Sequence, residues 1–486
     1  MKRVLAFALV LLMLLPMAIA CKKDENEEKP TGEVTLNQSG ESGNGDLLST
    51  IPVANYNGRE FNIVVENVHK NEVYAEQVTG DVIHDATYHW LQKINEQYGV
   101  SVKAKVPDGD FFSWQDGEAA SGKITTSIYG VSAFNLHRSV SSKNLKNWYK
   151  MGNMIDLSAD RWDRRVNDGI TFNGVLYGLT GDLGYSKVQN TMATVYNVAL
   201  VKQVGYNMTD MLYKMVEDKE WTFAQFETIA KGIYVDSDRN DRKSGGDTFG
   251  YVATTGPAHD IWFEQFGIFI TQKNDTTHEL VPTLYNEKND LLINKLWSFL
   301  HENQGVWGEL GYGTECEIFL EGRAAMVTVR FSEIAQIAKS LTKKEYGLLP
   351  APMLDENQDD YYTKLYDGFV VWGVSKNISA ADVDFTAHIT DALCAESSQT
   401  VYPKIYDACL ANRYSSEPAT AKMVDLIMKN VSLDGTYFFA SELKNYPKDI
   451  RKLLRDSSRP NWENTVATTN DIRGLLAWVY KLHSDT

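Results

Sequence analysis

The stretch DSDRNDRKSGGD, from Asp236 to Asp247, carries the residue spacing closest to a known piece of chemistry. Asp236, Asp238, Asn240 and Asp247 stand at positions one, three, five and twelve of a calcium loop, where hard oxygen ligands converge on one cation. The loop departs from that pattern. Position six is Asp241 where glycine makes the sharp turn, basic residues intrude, and position twelve is an aspartate, shorter than the glutamate that reaches a cation with both oxygens. The expected reading is a solvated acidic loop, with a structural calcium as the alternative and no other cofactor. Motifs of catalysis are missing. None of the nine histidines stands in a His-Glu-x-x-His spacing, and there is neither a Gly-x-Ser-x-Gly nucleophile turn nor a phosphate-cradling loop of the Walker type. With 64 acidic residues, paired carboxylates occur everywhere and say nothing about glycoside hydrolysis. The chain is therefore expected not to be an enzyme.

The elements that must position any site begin after an export segment. Lys2 and Arg3, an unbroken apolar run from Val4 to Leu15 and the small residues before Cys21 make a signal peptide over residues 1–20. Its apolar core falls short of the roughly twenty residues that span a bilayer. The cysteine directly after a small residue resembles the lipobox of bacterial lipoproteins, which implies that Cys21 carries diacylglycerol and anchors the chain to the cell membrane. Residues 21–50, rich in Glu, Gly, Ser and Lys, are expected to form a flexible tether. Lys2 and Arg3 leave with the signal segment, taking the net charge from −16 to −18. So acidic a chain disfavours nucleic acid as a partner. With Cys21 lipidated, Cys316, Cys394 and Cys409 remain, an odd number that excludes a disulfide framework. The expectation is three buried thiols, with a Cys394–Cys409 bridge as the alternative.

About 430 residues follow Ile51, a length natural for two domains. Strand and helix signals alternate along them, which argues α/β layers. FNIVVE reads as a strand, Ile83 to Tyr98 as a helix with Ile83, Tyr88, Leu91, Ile94 and Tyr98 on one stripe, and VSVKAKV as a second strand. That order predicts a crossover unit with a parallel pair. Further strands are expected in TTSIYGVSAF, in the pair GITFNGVLYGL and in TMATVYN. Helices are expected at WTFAQFETIAKGIY, capped by Thr222, and at DLLINKLWSFLHEN. No internal repeat is present.

Several segments between Asn57 and Leu433 together resemble the extracellular solute-binding proteins of ATP-driven importers, in particular the carbohydrate-type group. GDVIHDATYHWLQKINEQYGVSV is similar to the first helix and second strand of that family's first lobe. NGVLYGLTGDLGYS with TVYNVALVKQVGY is similar to the crossover into the second lobe, EGRAAMVTVRFSEI to the strand and turn that introduce a ligand-facing loop, and YGLLPAPMLDENQDDYYT with DGFVVWGVSKN to the return through the hinge. The resemblance implies a two-lobed, periplasmic-binding-protein-like α/β fold of the class II type. Lobe 1 would comprise residues 51–180 plus about 370–412, and lobe 2 residues 181–369 plus about 413–486, joined by hinge strands and closing on a ligand. It further implies a monomeric receptor that passes a sugar, an oligosaccharide, to the membrane permease of an ABC importer.

Eleven tryptophans and twenty-five tyrosines suit sugar recognition, in which aromatic faces stack on C–H surfaces, although core packing accounts for most aromatics. By the resemblance, ligand contacts fall on loops that leave the strands: Glu66 and Asn67 after the first, and Asn135, His137 and Arg138 after the one ending in SAF. Asp182 and Tyr185 lie beyond the first crossing, where Gly181 and Gly184 would let backbone approach a ligand. Trp262, then Arg330 and Phe331 in the family's ligand-facing turn, and Asp367 and Trp372 at the return crossing complete the candidates. Arginine at that turn offers a planar fork of donors for oxygen atoms. Two other readings are a surface glycan-binding lipoprotein of the outer-membrane type, built of helical repeats, and a two-lobed sensory relative.

Overall fold

The computed structural model describes residues 46–486 apart from 207–208, 257–258, 275–278, 312, 343–344, 409–417, 442, 444–445, 462–473, 475, 478 and 484–486. The signal segment, Cys21 and most of the tether lie outside the described residues, as does Cys409 and with it the pairing to Cys394. The last residues of the tether are part of the folded body. Asp46 caps a short helical turn, Leu47–Thr50, whose Leu48 is buried and whose first amide donates to the Gln399 side chain at 3.1 Å.

The expected crossover unit is present. Strand β1 (Arg59–Val65), helix α1 (Val82–Tyr98) and strand β2 (Val100–Lys105) follow one another, and β1 pairs parallel with β2 from Arg59/Val100 to Val64/Lys105. Helix α1 starts where Asp81 accepts from the amides of Ile83 and His84, and it buries Trp90, Leu91, Ile94 and Tyr98. It ends at Gly99, with φ of 56°, where an added Cβ would stand 2.2 Å from the Asn55 amide oxygen. Only glycine fits that stop. Strand β3 (Ile128–Ser132) joins β1 on its other side, also parallel.

A second sheet is built from β4 (Met192–Asn197), β5 (Tyr234–Val235), β6 (Thr248–Thr254), β7 (Val306–Leu310), β8 (Ala324–Arg330) and β9 (Tyr346–Leu349). Its order is β9-β4-β8-β6-β5, with β7 also pairing β6. β8 runs parallel to β6 and antiparallel to β4. The chain then returns: β10 (Val370–Gly373) pairs antiparallel with β3, giving the first sheet the order β10-β3-β1-β2. Two α/β sheets, linked by a departing and a returning segment, exclude an architecture of helical repeats.

Each sheet is covered by helices whose apolar stripes match it. Under the second sheet, α2 (Phe223–Gly232) and α3 (Glu287–His301) bring Phe223, Phe226 and Phe299 around Tyr251 and Trp262, with ring centroids 4.9 to 6.1 Å apart in edge and tilted contacts. Helix α3 is capped by Asn286, which accepts from the Asn289 amide at 2.8 Å, and it begins three residues before Asp290, the first residue of the segment that marked it in the sequence. Two expectations fail locally. Thr222 precedes α2 but its hydroxyl does not cap it; the residue instead bridges Met353 in parallel. The pair GITFNGVLYGL is a tight turn and not two strands, because Asn173 and Gly174 both take positive φ and only Phe172 and Val175 meet across it.

After the return strand, α4 (Ala380–Gln399) is buried from Phe385 to Ser397 and packs beside α1. Its Asp391 receives Arg161 Nε and Nη2, both at 2.7 Å, so α4 is tied to the segment that leaves β3. Cys394 is buried there as a free thiol, and Cys316 is a half-buried one. Among the described residues no helix is long and apolar enough to cross a membrane.

His259 and His483 are buried, and burial pushes their pKa values down to about 3 and about 4. A histidine held neutral in the fold binds fewer protons than in the unfolded chain. Its contribution is therefore full above the unfolded value of about 6.5 and lost as pH falls toward the folded one. Replacing His259 by Leu is expected to shrink the loss of stability between about pH 7 and pH 4, read from urea melts at both pH values; an unchanged difference would show that His259 does not carry it.

Candidate functional site

The loops leaving β1 and β3 meet through one carboxylate. Glu66 Oε2 accepts the Ser132 amide at 2.6 Å and its Oε1 accepts Asn135 Nδ2 at 2.7 Å. Phe134, between them in the same turn, is 43% exposed, a large apolar side chain left open beside polar groups. Its amide donates to the Asp367 carbonyl at 3.1 Å, which places the returning segment directly against this turn.

From the second sheet, β8 ends at Arg330. Its guanidinium donates to Glu333 at 2.6 Å, and Glu333 in turn accepts the Arg330 amide at 2.8 Å. The same guanidinium lies over the Tyr366 ring, 5.2 Å from its centroid, and the Tyr366 amide donates to Asn190 O at 3.0 Å. A continuous path of contacts thus runs from Arg330 through Tyr366 and Asp367 to Phe134, Asn135 and Glu66. It joins the end of a second-sheet strand to the ends of two first-sheet strands across the returning segment, where the topology of such sheets places ligands.

Charge near this path is held in two ways. Glu315, at the start of the helix Thr314–Leu320, is buried with one oxygen unpartnered, and burial with the neighbouring Glu333 pushes its pKa up to about 7. Behind Asp367 sits a denser group. Lys364 is ion-paired with Glu264, both fully buried, and Lys364 also lies 4.0 Å from the Tyr437 ring centroid. Arg451 Nε donates to Asp260 at 2.8 Å, and Asp434 accepts the Ile270 amide at 2.6 Å. Burial, with Asp434 and Asp260 adding repulsion against the pull of Lys364, pushes Glu264 up to about 7, and burial likewise raises Asp367 and Asp434.

The other sequence candidates have different surroundings. Asn67 is exposed on its loop. His137 is half-buried, and Arg138 turns away to Asp110 at 3.2 Å and lies over the Phe112 ring at 3.8 Å. Asp182 is buried and accepts the Ser398 hydroxyl at 2.9 Å; Tyr185 is also buried. Gly181 and Gly184 make room for protein and not for a ligand, since a Cβ would stand 2.5 Å from Arg161 O in the first and 2.2 Å from Val370 Cγ1 in the second. Trp262 belongs to the aromatic core, Phe331 is fully buried, and the Trp372 ring lies against Gly130, where an added Cβ would be 2.7 Å from it. Phe134 and Tyr366 went unremarked in the sequence; the signal available was their place beside Asn135 and Asp367.

The acidic loop does gather its carboxylates. Ligand oxygens of Asp236, Asp238 and Asp247 lie within 4.8 Å of one another. Its own backbone satisfies them: the Asp241 amide donates to Asp236 at 2.8 Å, Asn240 to Asp238 at 3.1 Å, and Ser237 and Ser244 to Asp247 at 3.0 and 2.8 Å. The Asn240 side-chain oxygen accepts the Arg242 amide at 2.7 Å, and Asp241 takes the left-handed φ of 58° that glycine would ordinarily supply.

Sheet order, two crossings and strand-end loops converging on the return segment define a two-lobed, periplasmic-binding-protein-like α/β fold of the class II type. Solved structures share it. The GacH receptor of Streptomyces glaucescens, determined unliganded and with acarbose, matches at a TM-score of 0.54 and 13% identity, over 86% of this chain and 99% of that one. A cyclo/maltodextrin-binding protein complexed with maltotetraose gives 0.56 and 14%, over 86% and 97%. An ABC substrate-binding protein of Listeria monocytogenes in complex with cycloalternan gives 0.53 and 14%, over 86% and 99%. No protein-family model and no curated protein sequence matches the chain.

Proposed function

We propose that this protein is a receptor that binds a carbohydrate, an oligosaccharide, between its lobes and delivers it to the permease of an ABC importer, performing no chemistry itself. The observation that carries this reading is the path from Glu66 and Asn135 through Phe134 and Asp367 to Tyr366 and Arg330. It combines an exposed aromatic face, carboxylate and amide acceptors and a guanidinium fork, the mixture that sugar C–H surfaces and hydroxyls require. That neighbours of this fold were solved with acarbose, maltotetraose and cycloalternan supports the same class. Export through residues 1–20, lipid on Cys21 and monomeric action at the outer side of the cell membrane complete the proposal, with lobe 1 spanning 51–180 plus about 370–412 and lobe 2 the remainder.

A thermal-shift screen of mono-, di- and oligosaccharides tests the reading, because a ligand that binds only the folded state raises its melting temperature. At least one glycan is expected to do so. A shift by an amino acid, polyamine or oligopeptide with none by any glycan would remove the carbohydrate assignment.

At the acidic loop, the backbone amides on Asp236, Asp238 and Asp247 support a loop closed on itself. EDTA is expected to leave the melting temperature unchanged; a drop restored by calcium would assign a structural cation there.

A further inference from the structure

Behind the Glu66 turn lies a row of buried polar groups that the ligand path does not use. Ser132, whose amide donates to Glu66, has its Oγ 2.9 Å from His69 Nε2. His69 Nδ1 is 2.7 Å from Glu72 Oε1, and Glu72 Oε2 accepts the Ser186 amide at 2.9 Å. Ser186 Oγ accepts the Val370 amide at 2.9 Å. Ser132 and His69 are 1% exposed, Glu72 4% and Ser186 5%, so no step of the row is screened by solvent. The order of serine, histidine and carboxylate is that of a hydrolytic triad, but burial of the Ser132 hydroxyl keeps any substrate from it.

The Ser186 amide can only donate, so Glu72 Oε2 accepts there, and a neutral His69 that donates from Nδ1 to Glu72 Oε1 accepts the Ser132 hydroxyl on Nε2. The row begins at the turn that holds Glu66 and Asn135 and ends on two segments: Ser186, in the departing crossing, and Val370, the first residue of the returning strand. Gly184, two residues before Ser186, leaves no room for slack, since its Cβ would come 3.1 Å from Glu72 Oε2.

We propose that His69, Glu72 and Ser186 are positioning residues that couple the state of the Glu66–Asn135 turn to both lobe crossings. The inference rests on the reading of that turn as part of the ligand site. A ligand that draws on Glu66 would alter its hold on the Ser132 amide, and the row carries that change to the backbone about which the lobes turn. Groups this buried move together, since a partner left unsatisfied costs about 1–3 kcal/mol.

Hydrogen exchange of the full-length protein tests the coupling without a ligand, because the Ser186 and Val370 amides are themselves members of the row. Replacing His69 by Gln is expected to speed exchange at both amides roughly tenfold, with peptides from Ala324–Arg330 unchanged. Glu66→Gln alone is expected to speed the same two amides, and to add nothing in the His69→Gln background. Independent, additive effects would overturn the proposal. Should His69→Gln fail to fold, Ser186→Ala keeps the amide and removes only the hydroxyl. Glu66→Gln should then still affect Ser186 but no longer Val370, and a response at Val370 would overturn the coupling. The ligand screen reports separately: a shift by an amino acid, polyamine or oligopeptide with none by any glycan would remove the carbohydrate reading and leave the exchange result standing.

Discussion

Replacing Arg161 by Met is expected to destabilise the protein by about 3–5 kcal/mol, because it leaves the buried Asp391 carboxylate without its cation. Arg161 and Asp391 are 8% and 4% exposed, and the carboxylate also receives the Trp162 indole N–H at 3.0 Å and the Asp156 amide at 3.1 Å. Solvent cannot take over from the arginine at such a site. The pair lies between the segment leaving β3 and helix α4, more than two hundred residues later, so its loss removes one tie that holds α4 to that segment. Urea melts at neutral pH measure the effect. A change under about 1 kcal/mol, the range of surface ion pairs, would show that the contact does not lock the fold. Adding Asp391→Leu to the same chain is expected to recover part of the loss, since an apolar pair of similar size removes the stranded charge while Trp162 and Asp156 still lose an acceptor.

The second large effect concerns binding. Arg330→Ala is expected to weaken the glycan found by the thermal screen about tenfold or more, the loss expected for hydrogen bonds from a charged donor. Stability should fall less than in Arg161→Met, because Arg330 is 23% exposed in its pair with Glu333 where Arg161 is 8% exposed. Asp182→Ala is expected to behave in the opposite way, lowering stability with its buried bond to Ser398 and leaving affinity to follow only through the fold. Affinity is read by calorimetry at a temperature where each variant is folded. Wild-type affinity in Arg330→Ala would place the ligand elsewhere.

Local pattern made much of the architecture legible. The stripe from Ile83 to Tyr98 and the alternation in VSVKAKV were enough for β1, α1, β2 and their parallel pairing, because each signal is contained in a few consecutive residues. The pair GITFNGVLYGL misled for the same reason: alternation cannot reveal that Asn173 and Gly174 turn the chain before a ladder forms. The sequence could bring candidate residues together where a strand end sufficed to place them. Glu66 and Asn135 come together because their strands are neighbours in the sheet, and Arg330 ends β8. Trp262 and Asp182 are buried, which the sequence could not show, because an aromatic or an acid looks alike there whether it faces a cleft or the interior. The groups around Lys364 and Glu264, one hundred residues apart, and the row from Ser132 to Val370 depend on contacts between distant segments, and no spacing announces them.

Glu264 adds a sign to look for. Its pKa, pushed up to about 7 by burial, means the folded state holds that proton more tightly than the unfolded chain. Its contribution is complete below the ordinary carboxylate range and is lost as pH rises toward 7, opposite to that of His259. The two therefore have to be separated by variants and not by a single pH profile of the wild type.

In the function we propose, two lobes close on a glycan, and closure is a change of shape that small-angle scattering reads directly. With the glycan that raises the melting temperature most, the radius of gyration is expected to contract on binding, since a ligand gathered between two lobes favours the closed arrangement over the open one. An unchanged radius at saturating glycan would contradict a receptor that signals its load by closing.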